Sequence, residues 1–319
     1  DDVEWEIVVV PNGCSDSTAV IARDTLAMLV GNNKHSKIRW SVHEVKEAGK
    51  SNAWNHYVHQ FSSVDANLII MVDADIEFGE PETIVNTVTT LLNNPYAEVA
   101  VDQPLKDAFK KTRQSLLEKI SLEASKRDGE KAVGIAGSFY CARAPILRGI
   151  WIPKGLPGED GFVRAMIMTN LFRSEVDSGK IVRAENATHY FETITDLVSI
   201  FRHEVRMVIG TELNCYFTWD FLRYAVDPQG LGAGVLIRNN LEKNPRWYVD
   251  FVRNSISKRG LWVLPKGAIF RRLRGIKTLD GSPPRMKRLL VGILGFLLDI
   301  PVLVVANHKL KNGTAIGHW

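Results

Sequence analysis

Residues 67–75 read NLIIMVDAD. Positions 67–72 form a nearly unbroken apolar run, and a strand with such a run is buried on both faces of its sheet. Strands of this kind occur where helices cover both faces of a mostly parallel sheet. The segment therefore predicts an α/β fold in which Asp73 and Asp75 follow the end of a buried strand.

The flanking sequence predicts further strands that alternate with helices. Predicted strands cover 6–10, 38–45, 67–72, 98–101 and 134–141, and predicted helices cover 17–29, 51–61, 81–93, 106–127, 162–171 and 195–210. Ligands of open parallel sheets bind beyond the carboxyl ends of the strands. We therefore expect Asn12, Asp73 and the strand after Glu98 to end at one edge, where the chemistry should collect, with the loop around Asp160 folded over it.

The pair Asp73 and Asp75 is a candidate metal site. Carboxylates at the tip of a buried strand suit hard cations that are held together with substrate phosphates. A D-x-D triplet also arises by chance, and the alternative interpretation is a capping or turn pair ahead of Pro81.

Two further segments carry candidate chemistry. Lys50 lies in GKSNA, residues 49–53, just before a predicted helix whose N-terminus would favour a phosphate; an exposed loop lysine is the alternative. Glu159 and Asp160 lie between glycines ahead of another predicted helix, as a capping pair would. A carboxylate on a loop over the same edge could instead act as the general base for an acceptor hydroxyl.

Together these segments resemble the family-2 glycosyltransferases of the GT-A fold, over about residues 4–210. The matching pieces are EIVVVPNGCSDSTAVIA (6–22), AGKSNAWN (48–55), LIIMVDAD (68–75), GSFYCAR (137–143), PGEDGFVR (157–164) and FRHEVRMVIG (201–210). The resemblance implies an inverting transferase that moves a sugar from a UDP- or GDP-type nucleotide diphosphate sugar to an acceptor hydroxyl.

The resemblance also implies roles for individual residues. Asp73 and Asp75 would hold the donor ribose and a Mg²⁺ or Mn²⁺ ion on the diphosphate, and Asp160, with Glu159 beside it, would be the catalytic base. The other residues that it places at the substrate are Pro11, Asn12, Gly13, Lys50, Asn52, Gly137, Ser138, His203 and Arg206.

The chain departs from the family pattern in three places. Asn12 stands in a Pro-Asn-Gly segment where the family has an acidic pair, so the nucleotide base is left open. The family's Gln-x-x-Arg-Trp motif reads His203 to Met207, which keeps Arg206 but lacks the aromatic residue, so single addition is favoured over processive synthesis. The chain also begins with what resembles the family's second strand. A lone histidine such as His189 is more often a core or surface residue than part of a functional site.

The C-terminal third differs in composition from the rest. Residues 253–288 contain eleven Lys or Arg and one Asp, although the whole chain has a net charge of only +4. Residues 289–306 are apolar but interrupted by Asp299 and Pro301, which predicts a membrane-dipping hairpin instead of a span. We therefore expect a transferase domain at 1–212 and a basic, apolar, helical, membrane-associating region at 213–319.

Other features of the sequence bear on the location of the protein and on its partners. Three unpaired cysteines suggest neither a disulfide framework nor a zinc site, and the acidic start of the chain does not resemble a secretory signal. We expect a protein on the cytoplasmic face of a membrane, whose acceptor is a lipid-linked saccharide, a lipid headgroup or a polysaccharide, and no nucleic acid partner. The alternatives are a nucleotidyltransferase and a non-catalytic membrane-bound subunit with a degenerate glycosyltransferase fold.

Overall fold

The computed structural model describes residues 3–31, 37–115, 118–119, 121–122, 133–274 and 286–313. The strands are β1 Trp5–Val9, β2 Ile38–Val42, β3 Leu68–Val72, β4 Glu77–Phe78, β5 Val99–Lys106, β6 Phe139–Arg143 and β7 Ile181–Phe191. The main helices are α1 Thr18–Leu29, α2 Lys50–His56, α3 Thr83–Leu92, α4 Ala144–Arg148, α5 Glu159–Met168, α6 Leu197–Phe217, α7 Ala233–Lys243, α8 Trp247–Ser257 and α9 Met286–Lys311. The α/β class is confirmed.

The strands form two sheets, and the larger one is mixed. Strands β1 and β2 pair in parallel, while the second sheet has the order β3-β6-β5-β7-β4. Within it only β5 and β7 are parallel; β6 runs antiparallel to both β3 and β5, and β4 runs antiparallel to β7. The prediction of a mostly parallel sheet was therefore wrong. The prediction that β3 is buried on both faces was also wrong, because β3 lies at the edge of the sheet and only Ile69 of its five residues is buried.

Most predicted elements are present, with shifted ends. Strand β5 continues to Lys106 and is followed by a short 3₁₀ turn, Asp107–Lys110, so the helix predicted from Lys106 does not begin there. Positions 116–117, 120 and 123–127 of that prediction lie outside the described residues. The strand predicted from 134 begins at Phe139, and α5 begins at Glu159 instead of Phe162. Strand β7 was not predicted.

The C-terminal residues pack on the part of the chain that contains the sheet. Helix α6 runs through the predicted boundary at residue 212, and α9 packs against α6. Val302, Leu303 and Ala306 of α9 belong to the same buried cluster as residues of the sheet and of α5. The division into two domains stays a prediction, and at residue 212 it would fall inside one helix.

The apolar run predicted as a hairpin forms a single helix instead. Helix α9 continues through Pro301 to Lys311. Asp299 is 0% exposed and accepts hydrogen bonds from Arg271 and Arg272, whose guanidinium groups also pair with Glu204 of α6. The buried charge is thus satisfied within the chain and does not need to break the helix.

Helix α9 also meets the length and composition of a membrane span. Residues 292–311 are long and apolar enough to cross a bilayer, and 28% of the apolar window is buried inside the protein. Many core helices of soluble proteins meet the same criteria. The composition of α9 is therefore weak support for membrane association.

Candidate active site

A cleft of about 2340 Å³ lies along the edge of the larger sheet. Its walls come from the ends of β3 and β5, the segment before β6, the start of α5, and one side of α6. Asp73, Asp75, Glu159 and Asp160 all line it. The ends of β3 and β5 and the loop that carries Asp160 therefore meet as predicted, although the sheet is mixed, whereas Asn12 is not among the residues that line the cleft.

Lys50 joins three of the predicted site segments. Its Nζ lies 2.7 Å from Oδ2 of Asp73 and 3.3 Å from Oε1 of Glu159, and it donates a 3.1 Å hydrogen bond to the carbonyl of Gly137. Burial opposes the charge of this lysine, but Glu159 and Asp73 together outweigh it and raise its pKa above the usual value. The lysine is therefore a fixed positive charge in the lining of the cleft.

Asp73 and Asp75 follow β3 as predicted. The backbone N–H of Asp73 donates to the carbonyl of Ser138 at 2.8 Å, which continues the pairing of β3 with β6 by one residue. Burial raises the pKa of Asp73, Lys50 opposes that rise, and the charge of Asp75 adds to it. Both carboxyl groups directly follow β3 and line the same cleft.

The donor set around Asp73 and Asp75 fits a cation that is completed by a substrate. No group of three or more His, Cys, Asp or Glu among the described residues could hold a metal ion alone. Mg²⁺ and its relatives in phosphate sites take one or two carboxylates and draw further ligands from substrate phosphates and water. Two carboxylates beside a lysine in an open cleft match that pattern.

The Gly-rich loop 155–161 places Glu159 and Asp160 in the lining of the same cleft. Gly158 precedes α5 with a φ of 70°, a conformation that favours glycine, and Asn214 of α6 donates to the carbonyls of Pro157 and Gly158 at 2.8 and 2.7 Å. Neither acidic side chain caps α5 from the preceding position, because Gly158 occupies it. Asp160 nevertheless accepts a 2.8 Å hydrogen bond from the backbone N–H of Gly161 in the first turn of α5, so the capping interpretation stays an alternative.

Asp160 has the electrostatic character of a proton acceptor. Burial raises its pKa above the ordinary value, and the charge of the neighbouring Glu159 raises it further. A carboxylate with a raised pKa is a stronger base than an exposed one. Gly137 lies directly beside both acids, since a Cβ on this glycine would lie 3.3 Å from Cβ of Asp160 and 3.4 Å from Oε1 of Glu159.

The predicted nucleotide segment lies behind the wall of the cleft. Asn12 donates to the carbonyl of Glu47 at 2.7 Å and accepts from the backbone N–H of Gly49 at 2.6 Å, so its amide holds the loop that leads to Lys50. Pro11 and Gly13 bond to the backbone of Val45. These three residues are not among those that line the cleft, whereas Asn52 is. Their contact with a nucleotide stays a prediction.

Helix α6 supplies the predicted basic residues. His203 and Arg206 both line the cleft, together with Arg271 and Arg272 from the segment before α9. Burial lowers the pKa of His203, and although Glu204 opposes this effect, Arg206 adds to it. His203 is therefore a neutral group beside a cationic one, which suits a hydrogen bond more than a charge pair.

The sequence did not predict a series of hydrogen-bonded polar side chains that lies beneath Ser138. Ser138 Oγ lies 2.8 Å from Nε2 of His189, and Nδ1 of His189 lies 2.8 Å from Oδ2 of Asp102. The side chains of Asp102 and His189 are 0% exposed. Because the two residues are 87 positions apart in sequence, no local pattern could have predicted their contact. The sequence contains one indication of a buried polar pair, which is that each residue lies in a strand among apolar residues.

Comparison with known proteins identifies the fold. No family model matches the chain, and no curated protein matches its sequence. Among solved structures, the chain is similar to a mannosyltransferase from Pyrobaculum calidifontis in complex with GDP-Man and Mn²⁺, with 13% identity, a TM-score of 0.51, and coverage of 96% of this chain and 77% of that one.

Two weaker likenesses are also found. Mannosyl-3-phosphoglycerate synthase from Rubrobacter xylanophilus has 15% identity, a TM-score of 0.43, and coverage of 70% of this chain and 67% of that one. Glucosyl-3-phosphoglycerate synthase from Mycobacterium tuberculosis has 15% identity, a TM-score of 0.40, and coverage of 67% and 69%. At such identities a likeness bears on fold alone, and the mannosyltransferase confirms the predicted glycosyltransferase type of α/β fold.

Proposed function

We propose that the chain is a metal-dependent glycosyltransferase that transfers a sugar from a UDP- or GDP-type nucleotide diphosphate sugar to an acceptor hydroxyl, with inversion at the anomeric carbon. The observation that carries the proposal is the convergence of Asp73, Asp75, Lys50 and the Glu159–Asp160 pair on one cleft of a chain with this fold. The first of the solved structures, which holds GDP-Man and Mn²⁺, supports the choice of donor and metal.

In this proposal the donor diphosphate lies at the end of β3. Asp75 and Asp73 would hold a Mg²⁺ or Mn²⁺ ion, which neutralises the charge that develops on the leaving diphosphate. Lys50 sets the position of Asp73 and adds a positive charge on the same side. Arg206, one turn along α6 from the neutral His203, adds a second cation to the cleft wall.

Asp160 is the proposed general base. It takes the proton of the acceptor hydroxyl while the acceptor oxygen bonds to the anomeric carbon, and the bond from that carbon to the diphosphate oxygen breaks on the opposite face. The nucleoside diphosphate leaves with the bonding electron pair. A single base on one side and a charge-stabilised leaving group on the other suit inversion.

We also propose that the acceptor is lipid-linked and that the enzyme works at the cytoplasmic face of a membrane, adding one sugar at a time. The lining of the cleft includes apolar residues of α6 and α9, among them Ile200, Met207, Leu294 and Leu298. An apolar wall of this kind would accommodate the stem of a lipid better than a free sugar. The absence of an aromatic residue after Arg206 supports single addition.

Ligand-dependent thermal stability tests the proposed donor site. Free ligand that binds only the folded state raises the unfolding temperature. We expect one of UDP and GDP to raise it in the presence of Mn²⁺ and to lose most of the effect with EDTA. A nucleotide response that is indifferent to the metal, or none from either nucleotide, would contradict the proposal.

A further inference from the structure

A series of hydrogen bonds runs from Asp102 through His189 to Ser138. It crosses three neighbouring strands and ends at the cleft. Asp102 belongs to β5, His189 to β7, and Ser138 immediately precedes β6. The register of β5 against β7 shifts between Val101 and Gln103, at the position of Asp102. Such irregularities turn a side chain away from the regular alternation of a strand, and here Asp102 meets His189.

The histidine is fixed in place from several sides. Its Nδ1 lies 3.0 and 2.8 Å from the two carboxylate oxygens of Asp102. Its ring packs edge-on against Phe139 with centroids 6.2 Å apart, and against Phe191 at 6.4 Å. The ring of His189 therefore has one orientation, in which Nε2 faces Ser138.

The tautomer of a neutral His189 follows from its partners. A carboxylate can only accept a hydrogen bond, so the single N–H of the neutral ring lies on Nδ1, towards Asp102. Nε2 then carries a lone pair, and the hydroxyl of Ser138 donates to it at 2.8 Å. With its hydrogen committed to His189, the oxygen of Ser138 presents only lone pairs to the cleft, and it can only accept.

The position of Ser138 indicates what it would accept from. Its carbonyl pairs with the N–H of Asp73, and its neighbour Gly137 accepts a hydrogen bond from Lys50 and lies beside Glu159 and Asp160. Ser138 thus lies between the proposed diphosphate end and the proposed base, where the transferred sugar must sit if the proposed function holds.

We propose that Ser138 is a specificity-determining residue that accepts a hydrogen bond from one hydroxyl of the donor sugar, and that Asp102 and His189 act as positioning residues that make it an obligate acceptor. The inference rests on the proposed function, because it places the sugar between the metal site and the base. Sugars with a hydroxyl at that position would be selected over sugars without one.

Calorimetric titration with UDP-glucose and GDP-mannose and their monodeoxy analogues tests the selection. For the parent that binds, we expect one deoxy analogue to bind about fivefold to tenfold more weakly, the equivalent of one neutral hydrogen bond. Ser138→Ala should abolish this preference while the other analogues keep theirs, and Ser138→Thr, which retains a hydroxyl, should restore it. Ser62→Ala, which removes a buried hydroxyl bonded to Val58, is the control.

A spectroscopic measurement tests the positioning residues without activity. In ¹⁵N-labelled protein, assigned by the loss of its signals in His189→Gln, we expect His189 to be the Nδ1-protonated tautomer. In Asp102→Asn, whose amide can donate to Nδ1, the tautomer should switch and the sugar preference should fall even if the fold is intact.

The outcomes separate the two proposals. A wild-type chain that binds neither sugar nucleotide would overturn the proposed function and this inference with it. A wild-type chain that binds one parent sugar but shows the same preference after Ser138→Ala, or that holds His189 as the Nε2-protonated tautomer, would overturn this inference alone.

Discussion

Asp160 and Asp73 are carboxyl groups at one cleft whose pKa values are both raised by burial, but their surroundings differ. Lys50 bonds directly to Asp73 and opposes the rise there. Around Asp160 the larger neighbouring influence is the negative charge of Glu159, which increases the rise. Asp73 is therefore suited to remain ionised beside a cation, and Asp160 to take up a proton.

Substitution of Asp160 tests its role as the base. Asp160→Asn keeps the size of the side chain but cannot take a proton at neutral pH, so kcat should fall by about 10² to 10⁴ while the donor dissociation constant stays within about threefold. Because the base must be ionised, wild-type activity should be lost as the pH falls, at a pH above the ordinary range of aspartate.

Glu159→Gln is the matched control for Asp160→Asn. Steady-state kinetics should show a much smaller loss of kcat for it, because in the structure Glu159 pairs with Lys50. Equal and mild losses in both variants would indicate a helix-terminal pair without a role in proton transfer. A greater loss in Glu159→Gln would assign the base to that residue instead.

Individual site residues could be predicted from sequence where they were adjacent to a recognisable element. Asp73 and Asp75 were found because they follow an apolar run that forms a strand, and Lys50 because it lies at the start of a helix. The contact between Lys50 and Glu159 could not be predicted, since it joins residues 109 positions apart in the numbering. For the same reason, the sequence did not predict that Asp102 is the partner of His189.

Helix α9 shows how an element can be misread when only its own residues are considered. Asp299 and Pro301 suggested a break, but Arg271 and Arg272 lie on a segment earlier in the chain and neutralise the aspartate. Gly295 allows this arrangement, because a Cβ there would lie 2.5 Å from Cδ of Arg272. The apolar pattern determines the length of α9, whereas the residues that pair with its buried charge come from other parts of the chain.

The outer side of α9 carries a stripe of exposed apolar residues. Leu297, Ile300 and Val304 are 56, 41 and 55% exposed and recur at helical spacing. Replacing the three with Gln should weaken flotation with anionic liposomes without unfolding the protein, because the buried residues of α9 are untouched. Met28→Gln with Leu29→Gln, exposed on α1, is the matched control and should float as the wild type does. Equal flotation of all three proteins would remove α9 from any membrane contact.

Strand direction is the feature of the elements that sequence could not supply. β6 has four consecutive buried residues, the signature expected of a central parallel strand, yet it is antiparallel to both neighbours. Direction depends on how the preceding segment returns to the sheet, and periodicity holds no information about that path.

At the scale of the whole molecule, the C-terminal region is part of the folded body. Tyr248, Val252 and Ile256 of α8 and four residues of α9 are buried in the same cluster as the core of α5 and α6. The cleft itself draws Leu294 and Leu298 from α9. Removing the tail would therefore expose core and alter the site together, so substitutions on the surface of α9 are the cleaner way to examine its partners.

The products formed from the donor test the central claim most directly. With Mn²⁺ and UDP-glucose or GDP-mannose, the wild-type chain should release free nucleoside diphosphate, by transfer or by slow hydrolysis. With UTP or GTP and the matching sugar 1-phosphate, the substrates of a nucleotidyltransferase, it should release no pyrophosphate. Asp75→Ala should abolish this release while keeping the unfolding temperature, and Asp65→Ala, an exposed aspartate outside the cleft lining, should behave as the wild type does. Release of pyrophosphate, or full release of diphosphate by Asp75→Ala, would contradict a metal-dependent sugar transferase with its metal at the end of β3.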